Sequence, residues 1–339
     1  MRYIRIRPMV AIVLSIFVLT AVILYMLTIG SADLSLQTVF SVMIEKLLGI
    51  SNDSLTAAQK FIVWNIRWQR IALGLIVGSG LAVSGVCFQT MFKNPLADPF
   101  VLGVSSGAAL GAAVSIVTHN PHLMILFAFV GALISLALVC FFSQNTLQVN
   151  ANQQLLLAGI ACGAMLNAML SAIMALHSQQ IQIIVFWLMG SLTNYVETLL
   201  PIFFVVAGGF FVTLIYARDL DVMALGDDDA RFLGVNVDRV KLVLLISTTL
   251  MTGACVAVSG IIGFIGLIIP HMVRKVAGTQ HLLLLPLSAI FGALFLVLAD
   301  GLTRSVSLLS SIPVGVVTAL FGGPFFLYIL YSTGRRSSN

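Results

Sequence analysis

Charge is scarce in this sequence: Asp, Glu, Lys and Arg make up 9% of its 339 residues, whereas 60% are hydrophobic. An ordinary soluble domain carries about 25% charged residues, so a water-soluble globule is excluded. The four cysteines, Cys87, Cys140, Cys162 and Cys255, fall inside apolar runs with no CxxC pair and no His/Cys cluster, which argues against a disulfide framework or a structural zinc site. HExxH is absent and the histidines are scattered at His119, His122, His177, His271 and His281, which disfavours an intramembrane metalloprotease. His119 and His122 could touch one metal, but solvated turn residues explain HNPH as well. No GxxxxGK[ST] run occurs, so ATP chemistry would require another polypeptide. Almost no formal charge lies at the middle of an apolar run, where an ion-coupled carrier would place one.

The sequence has apolar length in abundance. Runs at about 10–30, 70–91, 100–118, 123–142, 153–175, 195–216, 240–260, 262–275, 282–301 and 312–331 give ten candidate spans at about 20 residues each. The eighth is short, and only Gly260 to Gly263 separates it from the seventh, so a re-entrant or broken helix there would alter the count. The start MRYIRIRP leads into the first run without a small-residue cleavage motif and reads as a retained helix. A cytoplasmic N-terminus puts Arg2, Arg5, Arg7, Lys93, Arg218, Arg231, Arg239, Lys241, Arg274, Lys275, Arg335 and Arg336 inside. Only Lys46, Lys60, Arg67, Arg70 and Arg304 remain outside. That bias supports ten crossings with both termini inside. The net charge of +5 then reads as anchoring to anionic lipid rather than as nucleic-acid binding. The fold class is all-α and polytopic, a single transmembrane domain over 1–339.

Two connecting segments are long. The external one, about 31–69, contains DLSLQTVFSVMI, which can form a short amphipathic helix at the interface. The internal one, about 217–239, reads ARDLDVMALGDDDARFLGVNVDR and predicts two short surface helices, with Asp227 to Asp229 near the start of the second. It is either a solvated connector resting on the membrane or a partner-binding segment.

Within the runs, Gly74, Gly78, Gly80, Ser84 and Gly85, and then Gly103, Ser105, Ser106, Gly107, Ala108 and Gly111, form small-residue stripes that permit close helix packing or line a passage. The polar groups within reach of a path are neutral: Gln89, Thr90, Ser105, Ser106, Asn167, Ser171, Thr248, Thr249, Thr252, Ser259 and Thr318. They suit a bulky, neutral or well-chelated solute, and each also serves as an interhelical hydrogen-bonding group. Arg67, Arg70 and Arg304 stand at external helix ends, against the positive-inside trend. They either snorkel to lipid headgroups or receive carboxylates from an external partner through paired hydrogen bonds.

Several segments resemble the FecCD/BtuC-like permeases, the membrane-spanning subunits of the iron-siderophore, haem and cobalamin class of bacterial ABC importers. They are RWQR at 67–70, GLAVSGVCFQTMFKNPLADPFVLGVSSGAALGA from Gly80, LLLAGIA from Leu155, FWLMGSL from Phe186 and DDARFLGV from Asp228. SGIIGFIGLIIPHMVRKVAG from Ser259, LPLSAIFGALFLVLAD from Leu285 and IPVGVVTALFGGPFFLYIL from Ile312 complete the series in family order over nearly the whole chain.

The resemblance implies a type II importer permease fold: two ten-helix permeases around a central path, two ATP-binding cassette subunits, and an extracytoplasmic siderophore-binding protein. It implies that 218–236 supplies the ATPase coupling helices, with Asp228, Ala230, Arg231, Leu233 and Gly234 at family-like positions. Arg67, Arg70 and Arg304 then match arginines that meet glutamates of the binding protein. Two departures stand out. Gln69 replaces a Pro usual between the first two arginines, and Ser311 replaces a Glu usual before the last span's Leu/Ile-Pro, which weakens a homodimer. The implied function is import of Fe(III)-siderophore across the bacterial cytoplasmic membrane, with haem or cobalamin as the alternative cargo and an ion-coupled carrier as the remote one. The chain itself is expected to be a transport subunit that binds no cofactor and no nucleic acid, with ATP used by its partners.

Overall fold

The computed structural model describes residues 8–30, 32, 34–49, 55–143, 151–193, 199–305 and 312–337. Arg2, Arg5, Arg7 and Ser311 lie outside them. Fifteen α-helices occur among the described residues: α1 (Pro8–Thr28), α2 (Leu36–Leu48), α3 (Ala57–Phe61), α4 (Gln69–Met91), α5 (Val104–Val117), α6 (Met124–Phe142), α7 (Ala151–Leu176), α8 (Ile181–Leu188), α9 (Leu200–Ile215), α10 (Ala217–Met223), α11 (Asp227–Phe232), α12 (Val237–Ser259), α13 (Ile265–Ala277), α14 (His281–Ser305) and α15 (Val314–Ser337). A π-helical stretch, Ile62–Trp68, fuses α3 to α4.

Each of the ten apolar runs contains a helix. Six stretches are long and apolar enough to cross a membrane, and a seventh joins them if α9 and α10, bent by 56°, count as one. α13 is the shortest of the ten, at 13 residues. At 1.5 Å per residue that is about 20 Å, short of a hydrocarbon core about 30 Å thick. The expected eighth span is thus a short helix behind a break. Gly260 (φ 68°) and Phe264 (φ 71°) adopt left-handed backbone there. Ser191 N–H donates to the Ser259 carbonyl (2.7 Å), and Gly315 N–H donates to that of Gly190 (3.3 Å). Interruptions in three segments therefore satisfy one another, the condition for non-helical backbone buried at membrane depth.

Outside the list of runs lie α2, α3, α10 and α11, in the two long connecting segments, and α8, which falls in neither. α8 has eight residues, all apolar but Gln182 and too few to register as a span, yet it buries Ile184 and Trp187. The amphipathic helix expected in 31–69 is α2, capped at Ser35, whose hydroxyl accepts from Thr38 N–H, and closed by left-handed Gly49. Its Val39 and Val42 pack into a satellite core with Met26, Leu27, Val63, Ile71 and Val297, and Leu36, Phe40, Ile44 and Leu48 face outward.

The main core centres on α4, which packs against α9, α12, α13 and α14. Its crossing with α14 is set by Gly78 and Gly292: a methyl group on either would run into the other's carbonyl. Gly107 and Gly131 bring α5 and α6 together in the same way. Between helices in lipid, such close approach gains dispersion contacts where no hydrophobic drive exists.

Candidate functional site

Two polar centres lie at opposite ends of α14. At its C-terminal end, Asp300 is buried between two guanidinium groups: Arg70 Nε is 2.7 Å from Oδ1 and Arg304 Nε is 3.1 Å from Oδ2. Arg70 Nη2 also donates to Thr303 Oγ1 (3.2 Å), whose hydroxyl donates to the Asp300 carbonyl (2.7 Å).

The other attraction at this end is α1. That helix has no basic residue in its last turn, so its final carbonyls carry the negative end of the helix dipole without a local cation. Arg67 Nη1 donates to the carbonyls of Leu27 (2.7 Å) and Thr28 (2.8 Å), and Nη2 donates to that of Ala32. Arg304 Nη1 lies 3.3 Å from the carbonyls of Met26 and Ile29. Arg67 is only 3% exposed, and Gly30 leaves room for it: a Cβ there would meet Nη2 at 2.8 Å. The π-helical stretch delivers Arg67 inward, as such locally widened turns do for side chains at special positions.

The opposite end holds the 217–239 segment. It forms the two short helices expected, α10 and α11, with Asp227, Asp228 and Asp229 in the first turn of the second. α10 lies inward, burying Ala217, Leu220 and Met223. α11 and the residues that flank it lie outward: Ala230 is buried, while Phe232 is 89% exposed, Leu233 just after the helix 66% and Leu225 just before it 71%. Asp227 fastens α11 to the body through Lys93 (2.8 Å) and Lys241. Partial burial opposes ionisation of Asp227, but the two lysine ammonium groups outweigh it and hold its carboxyl below the usual range. Arg231 pairs with Asp238 at 3.0 Å, and Gly234 turns the chain at φ 90°. Asp228 stands exposed in the first turn of α11.

The neutral polar residues separate into two groups. Gln89 donates to the carbonyls of Gly266 (3.0 Å) and Leu267 (3.2 Å) and accepts from Arg274. Thr90 meets His281 Nε2 at 2.8 Å, and Thr318 donates to the Gly315 carbonyl (2.9 Å). Ser106 and Thr252 are buried as well. All of these face helix seams. Ser105 is half-buried, and Asn167 lies exposed on α7 with Ser171. A recess of about 250 Å³ between α4 and α9 is lined by apolar groups such as Leu75, Ile76, Phe203, Val206 and Phe210.

Sequence reading missed Asp300, Asp221 and His281. Asp300 carried one legible signal, its i,i+4 spacing to Arg304 on a helical run.

An all-helical chain of long apolar helices closed by glycine seams, with polar centres confined to its two ends, is a multi-pass membrane protein of permease type. It belongs to the FecCD transport family, whose model matches residues 18–332. It is 41% identical over 317 residues to the uncharacterized ABC transporter permease protein YvrB of Bacillus subtilis, covering 90% of this chain and 89% of that one. It is 38% identical over 341 residues to the hemin transport system permease protein HmuU of Yersinia pestis, covering 98% and 99%. It is 43% identical over 277 residues to the cobalamin import system permease protein BtuC of Halobacterium salinarum, covering 79% and 73%. Among solved structures it resembles an inward-facing conformation of a metal-chelate type ABC transporter, with TM-score 0.83 and 30% identity over 95% of this chain and 99% of that one. The chain is an ABC transporter permease, and its family comprises transport subunits rather than enzymes.

Proposed function

We propose that this chain, as one transmembrane domain, is the permease subunit of an ATP-powered importer that carries Fe(III)-siderophore across the bacterial cytoplasmic membrane. The observation that carries the reading is α11: Phe232, Leu233 and Leu225 stand exposed within a strongly charged segment. Burying each in a partner's groove would return about 1.5–3 kcal/mol, which water never supplies. The partners are two ATP-binding cassette subunits holding the 217–239 segments, with Asp228, Ala230, Arg231, Leu233 and Gly234 shaping the contact. A second permease copy or paralogue completes the path, and an extracytoplasmic binding protein delivers the solute.

In this reading the α10–α11 end and both termini face the cytoplasm, and the end carrying Arg67, Arg70 and Arg304 faces outward. Arg70 and Arg304 form the part of the docking face that a carboxylate can reach, with side chains 20% and 10% exposed. Arg67 supports that face from beneath by holding the end of α1. Asn167 and Ser171 stand exposed on α7, which supports a path formed between two chains and lined by these residues rather than one within a single chain. Those neutral groups suit a cargo that brings its own metal ligands. ATP binding moves the cassette subunits, and the segment passes that movement to the helices around the path. No cofactor is needed on this chain.

Haem or cobalamin is the second reading, favoured by the names of the Yersinia and Halobacterium relatives. The test is uptake into vesicles holding the complex and its binding protein, offered a ferric siderophore, haemin and cyanocobalamin in parallel. Saturable, ATP-dependent uptake of the iron chelate is expected. Uptake of only haemin or cobalamin replaces the cargo, and flux without ATP removes the importer.

A further inference from the structure

α10 differs from α11 in that it presents little to a partner yet makes a polar contact with the membrane helices. Asp221 Oδ1 accepts from two groups of His281, the backbone N–H that begins α14 (2.8 Å) and the ring Nδ1 (2.6 Å). On the other side of the ring, Nε2 and the Thr90 hydroxyl share a 2.8 Å hydrogen bond. The Thr90 hydroxyl also lies 3.0 Å from the Val86 carbonyl one turn earlier on α4. His281 is 3% exposed and Thr90 is buried, so water is kept from the ring and the hydroxyl, while Asp221, its side chain 31% exposed, ends the chain toward solvent. A continuous chain of three side chains thus runs from α10 through the first residue of α14 to the last turn of α4.

Its neighbours extend the tie. Gln89, adjacent to Thr90, fixes α13 through the Gly266 and Leu267 carbonyls and Arg274. The two helices it reaches, α4 and α14, are locked together at Gly78 and Gly292, and both continue to the Arg70–Asp300 pair at the far end. A one-carboxylate grip on both the backbone and the ring of His281 resists pulling and tilting alike, which apolar packing of Leu220 and Met223 does not.

We propose that Asp221, His281 and Thr90 are positioning residues for transport: the link through which displacement of α10 moves α14 and α4 as a unit. The proposal rests on the reading of 217–239 as the ATPase-engaging segment and names how that engagement leaves the segment. None of the three residues touches solute or nucleotide.

The test uses the whole complex in proteoliposomes and reads the ratio of solute taken up to ATP hydrolysed, for whichever of ferric siderophore, haemin or cyanocobalamin the unmodified complex imports. Thr90→Val removes the hydroxyl and keeps the shape, His281→Phe keeps a ring without its nitrogens, and His281→Gln restores one polar group toward Thr90. Thr90→Val and His281→Phe are expected to lower the ratio about fivefold while ATP hydrolysis stays within about twofold, a size typical of couplings carried by packed and hydrogen-bonded elements. The double variant is expected to be no worse than the worse single one, because the links are in series, and His281→Gln is expected to recover part of the ratio. An unchanged ratio, a parallel fall of uptake and hydrolysis, or multiplying losses in the double variant overturns the link. If His281→Phe does not assemble, Thr90→Val alone decides. A separate Leu233→Cys variant, cross-linked to the ATPase subunit, tests the underlying reading: no cross-link removes the coupling segment itself, whereas a cross-link with a normal Thr90→Val ratio removes only this link.

Discussion

The two ends of α14 handle charge and apolar surface in opposite ways. At the Asp300 end, three guanidinium groups, which keep their charge at any working pH, are drawn inward and spent on one carboxylate and the terminal carbonyls of α1. At the His281 end, Phe232 of α11 and the flanking Leu225 and Leu233 are pushed outward, where they gain nothing in water. The first pattern is what a chain does to complete itself, since orphan carbonyls at a buried helix end cost about 1–3 kcal/mol each when unpaired. The second is what a chain does to leave itself incomplete until a partner arrives. Substitutions at the first end should therefore register in stability, and substitutions at the second in assembly.

The largest effect is expected at Asp300. Asp300→Ala leaves Arg70 and Arg304 facing each other without their shared carboxylate, and breaking one side of a buried pair costs about 3–5 kcal/mol. Yield and thermal unfolding of the detergent-solubilised permease should both drop sharply, with Asp300→Asn intermediate. A melting temperature within a degree of the unmodified protein would erase the contrast between the two ends.

Arg67→Ala comes next. It removes a charged donor from two well-placed carbonyls of α1 and from Ala32, for a loss of about 2–3 kcal/mol. Arg67→Lys should recover only part of this, because a single ammonium cannot span carbonyls that a planar guanidinium reaches from two nitrogens. If Arg67→Ala melts normally and instead abolishes binding-protein docking, Arg67 belongs to the docking surface and not to the fold.

These pairings also mark where sequence reading stopped. Apolar run length located ten helical stretches, because hydrocarbon thickness is a local constraint on composition. The acids of 227–229 foretold the start of α11, because dipole effects act within one turn. Arg67, Arg70 and Arg304 stood out for their position, and Arg304 has a local partner, Asp300 one turn earlier, but Leu27 lies 40 residues from Arg67, and Asp300 lies 230 residues from Arg70. Asp221 and His281 are separated by 60 residues. No periodicity or local charge pattern encodes such pairs. Gln89 and Thr90 looked equally suited to a path and to a seam until the neighbouring carbonyls and His281 were placed beside them. α8 escaped because eight residues satisfy no span length.

At the α11 end, Phe232→Asp should leave the isolated permease as stable as before, since a side chain 89% exposed loses no packing within this chain. Association with the ATPase subunits should weaken about tenfold or more, the scale of an aromatic anchor removed from an interface. Leu233→Asp should behave alike. Gly234→Asp should add a modest stability loss of about 1 kcal/mol, because its left-handed backbone disfavours a side chain. Co-purification at fixed salt, paired with thermal unfolding, separates these outcomes. A variant that both melts early and assembles normally would make α11 part of the core.

The smallest effect belongs to Asp227, which sits between the two kinds of region: it is charged and partly buried, yet it fastens the outward helix. Its lysine pairs lower its carboxyl below the usual range despite the opposing effect of burial. A carboxyl whose folded-state value is depressed adds stability above the ordinary Asp value of about 3.9, and that stability fades as pH falls through the folded value. With its side chain 27% exposed, solvent screening limits the contribution to less than about 1 kcal/mol. Asp227→Asn should therefore melt slightly earlier than the unmodified permease at pH 7, and the difference should shrink as the pH is taken below about 4. A difference that grows on acidification would mean that Lys93 and Lys241 do not stabilise the charged form. The fastening of α11 would then depend on Ala230 and the turn at Gly234 alone.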